Sequence, residues 1–86
     1  MSQLNVSVVS ADREVWAGAA TQVVARTVEG SIGILAGHEP LLALLGEGEV
    51  KVTTPDGENV TVDAEGGFLS VDHDTVTIVA GKAGLA

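Results

Sequence analysis

Glu49-Val50-Lys51-Val52-Thr53-Thr54-Pro55-Asp56-Gly57-Glu58-Asn59-Val60-Thr61-Val62-Asp63-Ala64 is the stretch that decides the fold class of this chain. Val50 and Val52 straddle Lys51, and Val60 and Val62 straddle Thr61. That period of two marks strands with one face for a core and one for water. Between the two runs, Pro55 presets φ, Asp56 bonds its own backbone and Gly57 accepts positive φ. The stretch predicts a β-hairpin that joins residues 49–54 to 58–64.

The same alternation recurs on both sides of the hairpin. Leu4, Val6 and Val8 alternate with Asn5 and Ser7, Val23 and Ala25 flank Val24, and Val76 and Ile78 straddle Thr77. Turn residues separate these runs at Asp12-Arg13, Glu29-Gly30, Gly37 to Pro40, Gly46-Glu47-Gly48, Gly66-Gly67 and Asp72-His73-Asp74. Turns every eight to twelve residues, with no long helical period, predict an all-β sandwich or barrel. Two segments break the pattern. Pro40-Leu41-Leu42-Ala43-Leu44-Leu45-Gly46 has good helix formers between a proline and a glycine, and reads as one helical turn or an irregular buried segment. Gly81 to Ala86 is small and glycine-rich, and reads as a fraying end.

Composition sets the limits within which this β-domain works. The 86 residues suffice for one hydrophobic core, and a domain of this size has a stability margin of roughly 4–9 kcal/mol. There is no cysteine to add disulfides or thiolate metal ligands, which fits a reducing cytoplasm. The longest apolar run, Leu41 to Leu45, is far short of the roughly 18 residues that span a bilayer, so no direct membrane insertion is expected. The N-terminus has no basic region followed by an apolar one, so it does not read as a secretory signal. A formal net charge of −8 argues against nucleic acid and anionic lipid as partners, and for a basic protein surface.

Catalytic and cofactor motifs fail when their residues are checked. A serine nucleophile needs a histidine held by a carboxylate; His38 and His73 are the only imidazoles, and no Gly-x-Ser-x-Gly elbow exists. Asp72-His73-Asp74 has the composition of a metal triplet, but on a strand its carboxylates would share a face while the imidazole points away. It reads as a polar hairpin tip. Gly81-Lys82-Ala83 ends like a phosphate-binding loop, with Val76 where a glycine is needed and Ala83 where a hydroxyl is needed. Gly46-Glu47-Gly48 begins like a dinucleotide fingerprint and places Lys51 where its third glycine belongs. No catalytic residue, cofactor or metal is expected.

Two features remain. Gly30, Gly33, Gly37 and Pro40 punctuate the stretch from Glu29 to Pro40, which is either a wandering loop or a shaped, exposed edge for docking. Trp16 and Phe68 are the only aromatic residues and are expected to anchor the core. Truncation of a buried Trp16 to Ala would cost about 3–5 kcal/mol.

Several segments, in order along nearly the whole chain, resemble the N-terminal domain of the F-type ATP synthase epsilon subunit family. They are Leu4 to Asp12, Val15-Trp16-Ala17-Gly18, Glu29 to Leu42, Gly66-Gly67 leading into Phe68-Leu69-Ser70-Val71, and Val76 to Ala80. The most specific is Gly33-Ile34-Leu35-Ala36-Gly37-His38-Glu39-Pro40-Leu41-Leu42. The resemblance implies a single domain over residues 1–86, a flattened antiparallel β-sandwich of about ten short strands. It also implies a non-catalytic part of the central stalk, clamped between the gamma subunit and the polar loops of the c-ring. Such a part passes proton-driven rotation to the catalytic head, at the cytoplasmic face of a bacterial plasma membrane.

By the same resemblance Ser31, His38 and Glu39 are c-ring contacts, complementary to basic ring loops. The chain departs from the family pattern with Ala36 in place of proline, Glu39 in place of a small residue and Ser31 where an acid is frequent. It also stops at Ala86, where the family continues into a pair of regulatory helices, so extension-type inhibition is not expected of it. A lipoyl or biotinyl carrier is the competing class, since such domains are small, acidic and all-β. Lys82 is too near the end to sit on a hairpin tip, and Lys51 lies within a strand without the carrier's neighbours. A generic extracellular sandwich lacks support from a signal or disulfides.

Overall fold

The computed structural model describes residues 3–10 and 13–85, and these described residues fold into ten strands. These are β1 (Leu4–Ser10), β2 (Arg13–Ala20), β3 (Gln22–Thr27), β4 (Gly30–Leu35), β5 (Leu41–Leu44), β6 (Gly48–Thr53), β7 (Asn59–Glu65), β8 (Phe68–Asp72), β9 (Thr75–Val79) and β10 (Lys82–Leu85). They form two five-stranded sheets, one in the order β2-β1-β9-β8-β5 and the other β10-β7-β6-β3-β4. Neighbours run antiparallel except β1 and β9, which pair in parallel from Asn5↔Thr75 to Val9↔Val79.

The hairpin expected over residues 49–64 is present as β6 and β7, with Val52↔Val60 and Val50↔Val62 in register. Gly57 takes a φ of 87°, and its N–H donates to the Thr54 carbonyl at 2.9 Å. Period two then sends Val50, Val52 and Val62 inward and Lys51 out. The opposite sheet contributes Leu4, Val6, Val8, Leu69, Val71, Val76 and Ile78. The buried core is aliphatic throughout. Small branched side chains suit this gap, because they pack on pleated surfaces with little loss of rotamer freedom.

Four expectations need correction. The Pro40–Gly46 segment contains no helical turn: Leu41–Leu44 is strand β5, paired with β8 from Leu41↔Val71 to Leu44↔Phe68. A helix this short would leave most of its backbone groups unpaired, whereas the ladder with β8 engages them. The chain end does not fray at Lys82–Leu85, which is β10 and pairs with β7 from Lys82↔Glu65 to Leu85↔Val62. Phe68 is 39% exposed and not a core anchor, because it alternates with buried Leu69 and Val71 and so falls on the outer face. Trp16 is half-buried against the core margin, its ring lying over Gly18, so the full cost of losing a buried tryptophan is an upper bound there.

One flank of the sandwich is closed and the other carries a crossover. On the closed flank β10 lies against β1 and β2. On the other, the chain leaves one sheet at the end of β4 and enters the other at β5 through residues 36–40. A bridge between Thr27 and Leu45 joins the sheets again at the far end of this flank. There the Val28 N–H donates to the Leu44 carbonyl and the Gly46 N–H to the Arg26 carbonyl, each at 3.0 Å.

Candidate docking surfaces

The stretch from Glu29 to Pro40 is an edge strand followed by a tight crossover. Gly30 opens β4 at a φ of 126°, after a turn in which the Thr27 hydroxyl donates to the Gly30 carbonyl at 2.8 Å. Ser31 follows, exposed and opposite Arg26. Four residues later the strand ends at Leu35, and at about 3.3 Å per residue this separates Ser31 from the crossover by about 13 Å. The crossover folds back on itself, with the His38 N–H donating to the Leu35 carbonyl at 3.1 Å. Ser31 and the pair His38 and Glu39 therefore lie at opposite ends of β4 and do not form one patch.

The crossover is held from outside by the β8–β9 hairpin. His73 and Asp74 take φ of 49° and 60°, two successive left-handed residues that give the turn its primed geometry. This places Asp74 Oδ1 2.7 Å from the Gly37 N–H, which donates to it, and Gly37 itself sits at a φ of 85°. The Asp74 carbonyl also accepts from the Asn5 N–H at 2.8 Å. One residue thus fastens the crossover, the hairpin tip and the start of β1. Pro40 completes the crossover and lines a shallow groove with Leu41, Leu42 and Asp72.

Neither histidine is placed for chemistry. His38 Nδ1 lies 2.7 Å from the Glu39 carbonyl, and His73 Nδ1 lies 2.9 Å from Asp72 Oδ1 on an open surface. Asp72-His73-Asp74 is a hairpin tip, and among the described residues no group of three His, Cys, Asp or Glu side chains converges as a metal site. Lys82 begins β10 opposite Glu65 and shares an open groove with Glu47 and Asp63, an acidic setting that disfavours a bound phosphate. Lys51 lies within β6 opposite Thr61 and not on a turn.

A feature missed in the sequence is an apolar stripe on the outer face of β5 and β8. Leu42 is 72% exposed and Leu44 63%, with Phe68 beside Leu44 in the neighbouring strand. Leu35, 58% exposed, is on the outer face of β4 in the other sheet. Residues 41–45 are apolar at every position, so alternation alone does not say which of the leucines face outward.

The ATP synthase, Delta/Epsilon chain, beta-sandwich domain family matches residues 3–86. The chain belongs to this family. The Micrococcus luteus ATP synthase epsilon chain is 60% identical over 85 residues, which make up 99% of this chain and 93% of that one. The Rhodococcus opacus ATP synthase epsilon chain is 49% identical over 87 residues, 71% of its own length. A chain in the Euglena gracilis mitochondrial ATP synthase, a structure of OSCP/F1/c-ring, superposes with a TM-score of 0.92 at 26% identity, over 99% of this chain and 54% of that one. A chain of the Tetrahymena thermophila central stalk/c-ring shares the fold, with a TM-score of 0.74 at 18% identity over 93% of this chain and 64% of that one. The β-sandwich is thus an ATP synthase delta/epsilon domain, from a non-catalytic subunit of the complex, and matches chains of its rotor region. Among the described residues no helix is long and apolar enough to cross a membrane.

Proposed function

We propose that this chain, acting as one domain over residues 1–86, links the gamma subunit to the polar loops of the c-ring and transmits ring rotation to the catalytic head. The observation that carries this reading is the separation of its candidate contacts to the two ends of a stiff sandwich. A coupling part needs two attachments and little compliance between them, and paired sheets over a dense aliphatic core supply that stiffness. Ser31, at the end where the family frequently carries an acid, meets the basic ring loops. His38 and Glu39 lie at the other end of β4, so of the three residues expected to meet the ring Ser31 alone does. His38 and Glu39 meet gamma instead, together with the exposed stripe that runs from Leu42 back along the flank to Leu44 and Phe68 near the Thr27–Leu45 bridge. An apolar stripe of this kind on a small domain marks a protein contact. The subunit works peripherally, at the cytoplasmic face of a bacterial plasma membrane, without inserting into it.

Cysteine cross-linking in the assembled enzyme tests the assignment. Ser31→Cys is expected to trap a cysteine in the c-ring loop and His38→Cys a cysteine in gamma, with neither trapping the other's partner. Both positions trapping the same subunit would refute the two-ended arrangement. Titration of purified gamma with the chain is expected to give a stable complex, for which a contact of about 800 Å² per partner is sufficient.

A further inference from the structure

The four sheet edges are not equally protected. β2 carries Arg13 and Glu14 and meets β1 through a register shift at Val8/Val9, and β10 begins with Lys82 and lies against β2. β5 is four residues long, preceded by Pro40, and its Leu44 carbonyl is engaged by Val28. Charges, bulges, prolines and shortness are the usual ways in which an edge is kept from pairing with another chain. β4 has none of them. It runs six residues, Gly30-Ser31-Ile32-Gly33-Ile34-Leu35, without charge or proline, and among the described residues it pairs only with β3.

Gly33, in the middle of this edge, has no explanation within the chain. Its backbone is not left-handed, and a Cβ built on it would meet nothing within 4 Å. A glycine inside a strand weakens the strand and commonly marks the close approach of another backbone. Leu35, the next outward residue, is exposed where that backbone would pass.

We infer that the outer edge of β4 from Gly33 to Leu35, clear of Ser31, is the docking strand for an extended segment of a basic partner chain, which adds a sixth strand to this sheet and crosses closest at Gly33. The mode is strand addition, in which main-chain hydrogen bonds hold the segment and side chains select it. A second copy of this chain is the wrong occupant, because two bodies of net charge −8 would be brought edge to edge. Glu29 and Glu39 flank the strand at its two ends, so the segment that fits has Lys or Arg beyond an uncharged middle.

The inference rests on the reading that gamma docks on this flank, and purified gamma is therefore the probe. Gly33→Val is expected to keep or raise the melting temperature, since a β-branched side chain has open space and suits a strand, yet to weaken gamma binding at least tenfold. Amide exchange of residues 33–35 is expected to slow at least tenfold in the wild-type complex. Undiminished binding by Gly33→Val with unchanged exchange in β4 would overturn the strand addition and leave gamma docking through side chains. Failure of gamma to bind the wild-type chain would overturn both. A homodimer in sedimentation that Gly33→Val dissolves would replace the basic partner with a second copy.

Discussion

Phe68 and Leu69 are consecutive in β8, both large and apolar, yet one lies in the outer stripe with Leu42 and Leu44 and the other is fully buried between the sheets. The inner layer and the outer stripe are built from the same kinds of side chain, and pleat parity alone separates them. The inner set is covered by this chain, so its contribution is to stability. The outer set is left exposed by this chain, and under the proposed function it is covered by a partner, so its expected contribution is to binding. Apolar content is thus an incomplete guide to a core, and parity against a paired neighbour is what assigns each residue to a layer.

Substitutions that separate the two layers test this division. The largest effect is expected for Leu69→Ala, at about 2–5 kcal/mol. For a domain of this size that lowers the melting temperature by roughly 10–30 °C. A loss below about 1 kcal/mol would place Leu69 outside the load-carrying layer. Asp74→Ala comes next, at about 1–2 kcal/mol, because it deletes the acceptor for the Gly37 N–H and leaves alanine at a left-handed φ. Asp74→Asn, which keeps a carbonyl acceptor and tolerates that φ, is expected to restore most of it, and faster exchange of the Gly37 amide in the alanine variant alone would locate the effect. Leu44→Ser has the smallest effect on folding, within about 0.5 kcal/mol by thermal melting, yet is expected to weaken gamma binding about tenfold. Comparable losses of stability in Leu44→Ser and Leu69→Ala would erase the distinction.

The inner layer was largely legible in the sequence, for reasons that lie in particular residues. Pro55-Asp56-Gly57 specifies its turn by backbone chemistry alone, and valines alternating around Lys51 and Thr61 set the register of the hairpin it closes. The outer stripe was hidden because Leu41 to Leu45 is apolar on both faces, so alternation disappears where the partner-facing side matches the core side. Lys82–Leu85 was misread for the opposite reason, since glycine and alanine leave no pattern, and only its ladder with β7 makes it a strand. Ser31 and His38 are close in sequence, yet the extended strand from Ser31 to Leu35 spans about 13 Å and puts them at opposite ends of β4. The fastening of Gly37 by Asp74 joins residues 37 positions apart, and no local signal announces it.

The parallel pairing of β1 with β9 has a consequence for how the molecule comes into being. β1 lies between β2 and β9, yet its second neighbour arrives about seventy residues later, so this sheet stays incomplete until β9 has left the ribosome. During that interval β1 and β2 can exist only as an isolated hairpin, too small to be stable in water. Biogenesis of the subunit should therefore show one late, concerted closure, with nascent chains that stop short of β9 remaining sensitive to protease along their whole length.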